Sequence, residues 1–486
     1  MLFEDMPLLR AFQAKMKEMP YEWKQKHLGL MLCHTPAPQN KGAVIAISES
    51  DEKEVKKRAK IIGLSRCGNT WLCPVCSVEL ANKMSQKVQT AIDLEKKAGH
   101  VPIMLTLTIP HYKHIPLKLC IETLKECWRY YFTQANNKIS NGYKRKTDRV
   151  MNGVKHDENY KYSRNDIWSQ FRRLVHHYFR ANEITVSRFF GWHPHSHILL
   201  FVDKESLPKL QEMEKELCTK WTDYAYRTLV KKLEKEKPNL EKELENVNCT
   251  FEELINHLTA VKSISGSNGA HFSKDTNGTI RTFTAASYAA GLSSHLSNEL
   301  TGQSLKRGRK SKHYTPIQLI EMVCRPQKYL EQFISSDEEE NKDEDTESKI
   351  NYYWKLIVEL IDNLHGTKNH RVCLSRFVWS KTDLTKRLKQ FEKTEEFLEY
   401  KKKFGAKDTS QKWKIVAFVP SELLKLCFIN GYWHKMEVEF LQLLKDDRLS
   451  YETICEVFDS YKLPRPLKTF SAAVEYLEDG QLVYAA

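Results

Sequence analysis

Residues 191–201 read GWHPHSHILLF, and the architecture of the chain turns on that stretch. In a β-strand alternate side chains share a face, so His193, His195, His197, Leu199 and Phe201 point one way and Ser196, Ile198 and Leu200 the other. The apolar positions 198 and 200 suit packing against a helix. Two imidazoles at i and i+2 can hold one divalent cation from the same side. The competing reading is a histidine-rich turn at a sheet edge.

Working outward, EITVSRFF at 183–190 is also strand-like, so the two segments form a hairpin turning near Phe190-Gly191. Glu183 shares a face with Thr185 and Ser187 and then lies opposite the region of His197. A carboxylate there completes a two-histidine, one-acid set with positions open to substrate oxygens. Read otherwise, Glu183 is an exposed cross-strand charge. Upstream, VPIMLTLTI at 101–109 is a further strand, and residues 77–99 form a helix closed by Gly99. Residues 115–135 form another helix, and 137–165 read as a polar, basic loop. Residues 205–260 are helical and charged, with LVKKLEKEKPNLEKELENV as a solvated insertion.

The chain has 486 residues, enough for two to four domains, with 41% hydrophobic and 28% charged residues. Such a composition builds packed cores. No apolar run reaches the length of a membrane span, and the opening MLFEDMPLLRAFQAKMKEM is too charged for a secretory signal, so a cytoplasmic protein without a membrane partner is expected. Lys and Arg number 76 against 62 Asp and Glu, a net charge of +14 that suits a polyanion such as nucleic acid.

Twelve cysteines are too sparse for a disulfide scaffold, and reduced thiols in a cluster point to metal. In CGNTWLCPVC, Cys67, Cys73 and Cys76 supply three thiolates, and the CPVC turn brings two sulfurs to one point, as structural Zn²⁺ requires. The fourth ligand comes from elsewhere. Cys33 and His34, in LMLCHTP, are the nearest upstream candidates, with Cys33 favoured. Cys120 and Cys127 read as core residues of a helix.

TAASYAAGLSSHLSNEL at 284–300 has helical spacing, with Tyr288, Leu292, His295 and Leu296 recurring. A tyrosine beside a bound cation can attack a phosphodiester, although such a residue alone is more often a packing residue. The following run LKRGRKSKHY is basic; Lys306, Arg307, Arg309 and Lys310 are natural partners of backbone phosphates, or else a solvated loop.

Taken in order, CGNTWLCPVC, LTLTIPH at 105–111, GWHPHSHILLF preceded by EITVSRFF, the tyrosine helix with its basic trailer, YTPIQLI at 314–320 and YYWKLIVELIDNLHGTKNHRVCLSRFVWS resemble the replication initiators of rolling-circle plasmids, members of the HUH endonucleases. The resemblance spans about residues 60–385. It implies an α+β fold with a ferredoxin-like or RRM-like core, in which a central antiparallel sheet flanked by helices carries the histidine pair. It implies Mg²⁺ or Mn²⁺ held by His195 and His197, with Glu183 as a possible third ligand, and Tyr288 as nucleophile. The implied activity is nicking and joining of one strand of origin DNA, presented as single strand or hairpin. A 5′-phosphotyrosine link and a free 3′-OH primer result, with host helicase and polymerase as partners. The sequence has no Walker-type GxxxxGK[ST] run, so unwinding falls to the host.

The expected organisation is an N-terminal helical and zinc-binding region at 1–99 and a nuclease core at 100–334 with a helical insertion near 205–262. An acidic linker follows at 335–348, where eight of fourteen residues are Asp or Glu, and then a mostly helical C-terminal region at 349–486. The chain departs from the family pattern at three places. Ser196 stands where a large apolar residue is usual, Gly291 replaces a lysine and Leu292 a second tyrosine. Three other readings follow: a zinc-containing DNA-binding protein without catalysis, a transposase of the same chemistry, and a metal-dependent hydrolase, which lacks a following Asp-His pair.

Overall fold

The computed structural model describes residues 6–36, 42–48, 59–134, 167–187, 189–264, 269–282, 313–328, 346–364, 372–374, 413–468, 474–476 and 482–484. The basic loop at 137–165, the tyrosine helix at 284–300, Lys306, Arg307, Arg309 and Lys310, and acidic residues 335–345 lie outside them. A helix begins at Thr346, within the expected acidic linker.

The strands are β1 (Gly42–Ser48), β2 (Ala59–Ile62), β3 (Val101–Thr108), β4 (Val175–Ser187), β5 (Gly191–Val202), β6 (Ala270–Phe272), β7 (His313–Tyr314), β8 (Val372–Leu374), β9 (Trp413–Pro420), β10 (Val474–Tyr476) and β11 (Leu482–Tyr484). The chain divides into two units, Met1–Lys83 with Ile317–Lys368 and Phe391–Ala486, and Met84–Pro316 with Asn369–Gln390.

In the second unit an antiparallel sheet runs β6-β3-β5-β4-β7, with β8 also paired to β4. The sheet is apolar on both faces where helices cover it. On one face Ile103, Leu105, Leu107, Ile198, Leu200 and Val202 join Cys120, Phe171, Leu217 and Trp221, which belong to helices Leu117–Trp128, Ile167–Arg173 and Leu207–Glu245. Trp221 Nε1 donates to the carbonyl of Thr108 at 2.5 Å, tying that last helix to the end of β3. On the other face Met104, Phe179, Ala181, Leu199 and Phe201 pack on Val88, Ala91 and Ile92 of helix Pro74–Lys97. The fold is thus α+β, with an antiparallel sheet between helices.

The stretch read as a solvated insertion contributes to this core. Leu229, Leu233, Leu240 and Leu244 of that stretch are buried, continuing the stripe of Leu217, Trp221 and Ala225, so its charged residues form only the outer side of the helix. The next helix, Phe251–Ile264, starts at a reciprocal cap: Thr250 N donates to Glu253 Oε2 (2.7 Å) and Glu253 N to Thr250 Oγ1 (3.2 Å).

The first unit holds a sheet not expected from the sequence, in the order β2-β1-β9. Residues 1–60 and the C-terminal region carry helical patterns, yet GAVIAIS pairs with WKIVAFVP across the length of the chain, Val44 facing Phe418 and Ala43 facing Val419. Helices Ser421–Ile429, Trp433–Lys445 and Tyr451–Ser460 cover it, burying Leu424, Trp433, Phe440 and Phe458 with Ile45 and Val419. No helix among the described residues is long and apolar enough to cross a membrane.

Candidate metal centres

The β4–β5 hairpin turns between Ser187 and Gly191, which are paired residues. Ser187 Oγ accepts from the backbone N–H groups of Phe189 (3.2 Å) and Phe190 (3.4 Å). Gly191 has φ +70°, and a Cβ there would stand 3.0 Å from the carbonyl oxygen of Tyr112, so the position demands glycine. This turn fixes the register beyond it. Glu183 pairs with His195, one ligand position earlier than the sequence reading put it, and β3 sets Thr106 beside His197 and Thr108 beside His195.

Glu183 Oε2 lies 3.0 Å from His195 Nε2 and 3.4 Å from His197 Nε2, and the two Nε2 atoms are 3.2 Å apart. His195 Nδ1 donates to the carbonyl of His193 (3.3 Å), and His197 Nδ1 is 3.0 Å from Thr106 Oγ1. In the tautomer that a metal ligand needs, with Nδ1 the donor of each ring, each Nε2 presents a lone pair to the other and to the carboxylate. Three acceptors at such spacing repel unless a positive charge lies among them. Ligand atoms held about 2.1 Å from one ion stand roughly 3.0 to 3.5 Å apart, so the trio fits a single divalent cation. Burial alone would raise the Glu183 pKa, but hydrogen bonds and charge from His195 and His197 outweigh it and hold the carboxylate well below its ordinary value.

Around the trio lies a second group of imidazoles, of which the sequence reading singled out only His193. His193 stacks on His111, with centroids 4.4 Å apart and planes 7° from parallel, and His313 on β7 is 6.0 Å from His193. Thr106 and His111 both sit in LTLTIPH, where the alternating threonines were the available sign of a polar face. Ser196, on the opposite face, donates to Asn182 Oδ1 at 2.8 Å, so β4 satisfies the hydroxyl that stands at the usual apolar position.

His111 is pushed down to about 4 chiefly by burial, with charge repulsion from His313 and His195 adding to it against an opposing bond from Nδ1 to the Ile109 carbonyl. The folded value thus lies below the unfolded 6.5. Its contribution is complete above 6.5 and is lost as pH falls toward 4, because the buried ring must then take up a proton. The loss is on the order of 3 kcal/mol. Calorimetry of the metal-free chain should show the melting temperature falling across this window, and His111→Asn should flatten that part of the profile.

In the first unit Cys33, Cys67, Cys73 and Cys76 come together. Sγ separations are 3.5 Å for Cys33–Cys73, 3.6 Å for Cys33–Cys76 and 3.7 Å for Cys67–Cys76. Four sulfurs about 2.3 Å from a tetrahedral zinc stand roughly 3.8 Å apart, so the cluster fits Zn²⁺ with slight expansion. Backbone N–H groups of Asn69 and Cys76 donate to Cys67 and Cys73 sulfurs, both at 3.4 Å. Asn69 Oδ1 accepts from the N–H groups of Trp71 and Leu72 at 2.9 Å and so shapes the loop between the thiols. Hydrogen bonding to its neighbouring sulfurs, with burial, raises the Cys73 thiol well above its ordinary value. Cys33 therefore supplies the fourth sulfur, whereas the ring nitrogens of His34 make no hydrogen bond. Cys120 and Cys127 are buried in the core of the second unit.

Part of the chain is similar to two curated proteins. It is 27% identical over 144 residues to "Protein rep" of Streptomyces lividans, covering 29% of this chain and 30% of that protein. It is 28% identical over 147 residues to "Neomycin resistance protein" of Streptomyces cyanogenus, covering 30% and 32%. The chain thus spans less than a third of the length of each of these relatives. No family model and no solved structure matches.

Proposed function

We propose that the chain is a replication initiator of the rolling-circle plasmid type, which binds origin DNA and nicks one strand with Tyr288. The observation that carries this reading is the convergence of Glu183 Oε2, His195 Nε2 and His197 Nε2 within 3.4 Å of one another on a single hairpin. The name of the Streptomyces lividans relative, Protein rep, supports it, as does the net charge of +14. Glu183, His195 and His197 would hold Mg²⁺ or Mn²⁺, which when bound polarises a phosphate oxygen.

The Tyr288 hydroxyl gives its proton to water, which returns one to the leaving oxygen, and the tyrosine oxygen attacks the scissile phosphorus. The bond to the 3′ oxygen breaks, that oxygen leaves as a hydroxyl after taking a proton, and the 5′ phosphate stays on the tyrosine. Thr106 and the His193 carbonyl keep the two imidazoles turned toward the phosphate. Lys306, Arg307, Arg309 and Lys310 bind flanking backbone phosphates. Zn²⁺ in the four-cysteine cluster braces the first unit, and the free 3′-OH serves a host polymerase behind a host helicase. A second reading, a DNA-binding protein that does not cut, draws on Gly291 and Leu292, which replace the lysine and second tyrosine of the family pattern.

The test incubates the full chain with a randomised single-stranded oligonucleotide library and Mn²⁺. A protein–DNA adduct that survives denaturant, requires the metal and disappears in His197→Ala is the expected result. Retention of DNA with no adduct would favour the non-cutting reading, and neither binding nor adduct would overturn both.

A further inference from the structure

Three chain segments meet at the end of the sheet remote from the Glu183 trio. His100 leads into β3, His176 is the second residue of β4, and Asp203 follows β5. The register makes this meeting: Val101 and Val175 both pair with Val202. Asp203 stands six positions beyond His197, about 20 Å of strand. A register shift between Val175 and His177 bulges β4 at His176, so that consecutive histidines reach different partners.

His177 turns inward, its Nδ1 3.1 Å from Glu95 Oε2. His176 turns outward, its Nε2 3.0 Å from Asp203 Oδ2. The same Oε2 of Glu95 lies 2.7 Å from His100 Nδ1, and the Glu95 side chain is 0% exposed. A buried carboxylate that accepts a hydrogen bond from His100 Nδ1–H leaves Nε2 with its lone pair, 3.9 Å from Asp203 Oδ1. That pairing, carboxylate behind imidazole, is how proteins orient a histidine ligand. One ligand atom from each of His100, His176 and Asp203 lies within 4.8 Å of the other two.

We propose that His100, His176 and Asp203 form a second divalent-metal site, oriented by Glu95 and separate from the Glu183 trio and the cysteine cluster. Two imidazoles and one carboxylate suit a divalent transition ion such as Zn²⁺, Ni²⁺ or Co²⁺. The two rings now stack, with centroids 3.9 Å apart and planes 15° from parallel. In-plane lone pairs of parallel rings do not meet at one point, so binding splays them. His176 is the ring that turns, because its side chain is 38% exposed while that of His100 is fixed at 17% by Glu95. Such an ion joins the segment after helix Pro74–Lys97 to the outer ends of β4 and β5.

The test measures bound zinc per chain by elemental analysis after dialysis of the full-length protein against a weak chelator. Wild-type protein should hold one equivalent more than His176→Ala and Asp203→Asn. Both substitutions are at partly exposed positions, and circular dichroism confirms that the variants fold. Glu95→Gln keeps all three ligands and should loosen that equivalent about 10–100-fold. Equal zinc content in wild type and the two surface variants would overturn the site and leave a histidine stack bridged to an aspartate.

Discussion

Tyr288→Phe should lower the yield of the denaturation-resistant DNA adduct by at least about 10³-fold while leaving metal uptake at Glu183, His195 and His197 unchanged. The substitution removes one oxygen, the atom that would bond to phosphorus, and nothing else. The imidazoles keep their orientation, since Thr106 and the carbonyl of His193 set it and neither involves Tyr288. DNA retention should also persist, because backbone phosphates are gathered by charge rather than by the phenol. His197→Ala makes the reciprocal case: the nucleophile stays, the trio of ligands is broken, and both metal uptake and adduct fall. Tyr314 is the informative control. It pairs with Val186 on β4, so its phenol stands on the sheet that carries the trio. Tyr314→Phe should retain the adduct. If Tyr288→Phe kept full yield and Tyr314→Phe abolished it, the nucleophile would have to be reassigned to β7.

The other large effect is expected at the sulfurs. Cys73→Ser should release one zinc and unfold the first unit at a temperature lower by roughly 10 °C or more. Structural zinc supplies folding free energy directly, and a domain has only about 5–15 kcal/mol in total. The sulfurs of Cys33, Cys73 and Cys76 are buried within 3.6 Å of a neighbour, so the remaining thiolates of a broken set repel one another in a poorly solvated place. Zinc release can be followed with a chromophoric chelator and unfolding by calorimetry. Cys120→Ser, buried in the core of the second unit, should keep the zinc. A Cys73→Ser protein that matched wild type in both zinc and melting temperature would remove the metal from the cluster.

What the sequence made legible follows a physical line. The hairpin and its histidine face could be read because alternation is local, and so could the gathering of cysteines, because the CPVC turn is local. Glu183 was placed on the right face but opposite the wrong histidine: the turn from Ser187 to Gly191 sets the pairing, and one residue in a turn is enough to move it. The β1–β9 pairing could not be read. Both segments are short apolar runs, which periodicity does not separate from helix, and each finds its partner some 370 residues away, beyond any local pattern. Glu95 was hidden for a different reason. It lies in LEKK near the end of a helix and resembles a solvated charge, and His100 with the inward-turned His177 of β4 makes it a buried acceptor. Tyr288 and the basic residues at 306–310 lie outside the described residues.

Glu183, His195 and His197 all belong to one hairpin, with fifteen residues from the first to the last. Closing so short a loop costs little entropy and can occur within microseconds. During synthesis this trio leaves the ribosome some ninety residues ahead of Tyr288, so its three ligands can gather on the nascent chain before the later strands of the sheet have been made.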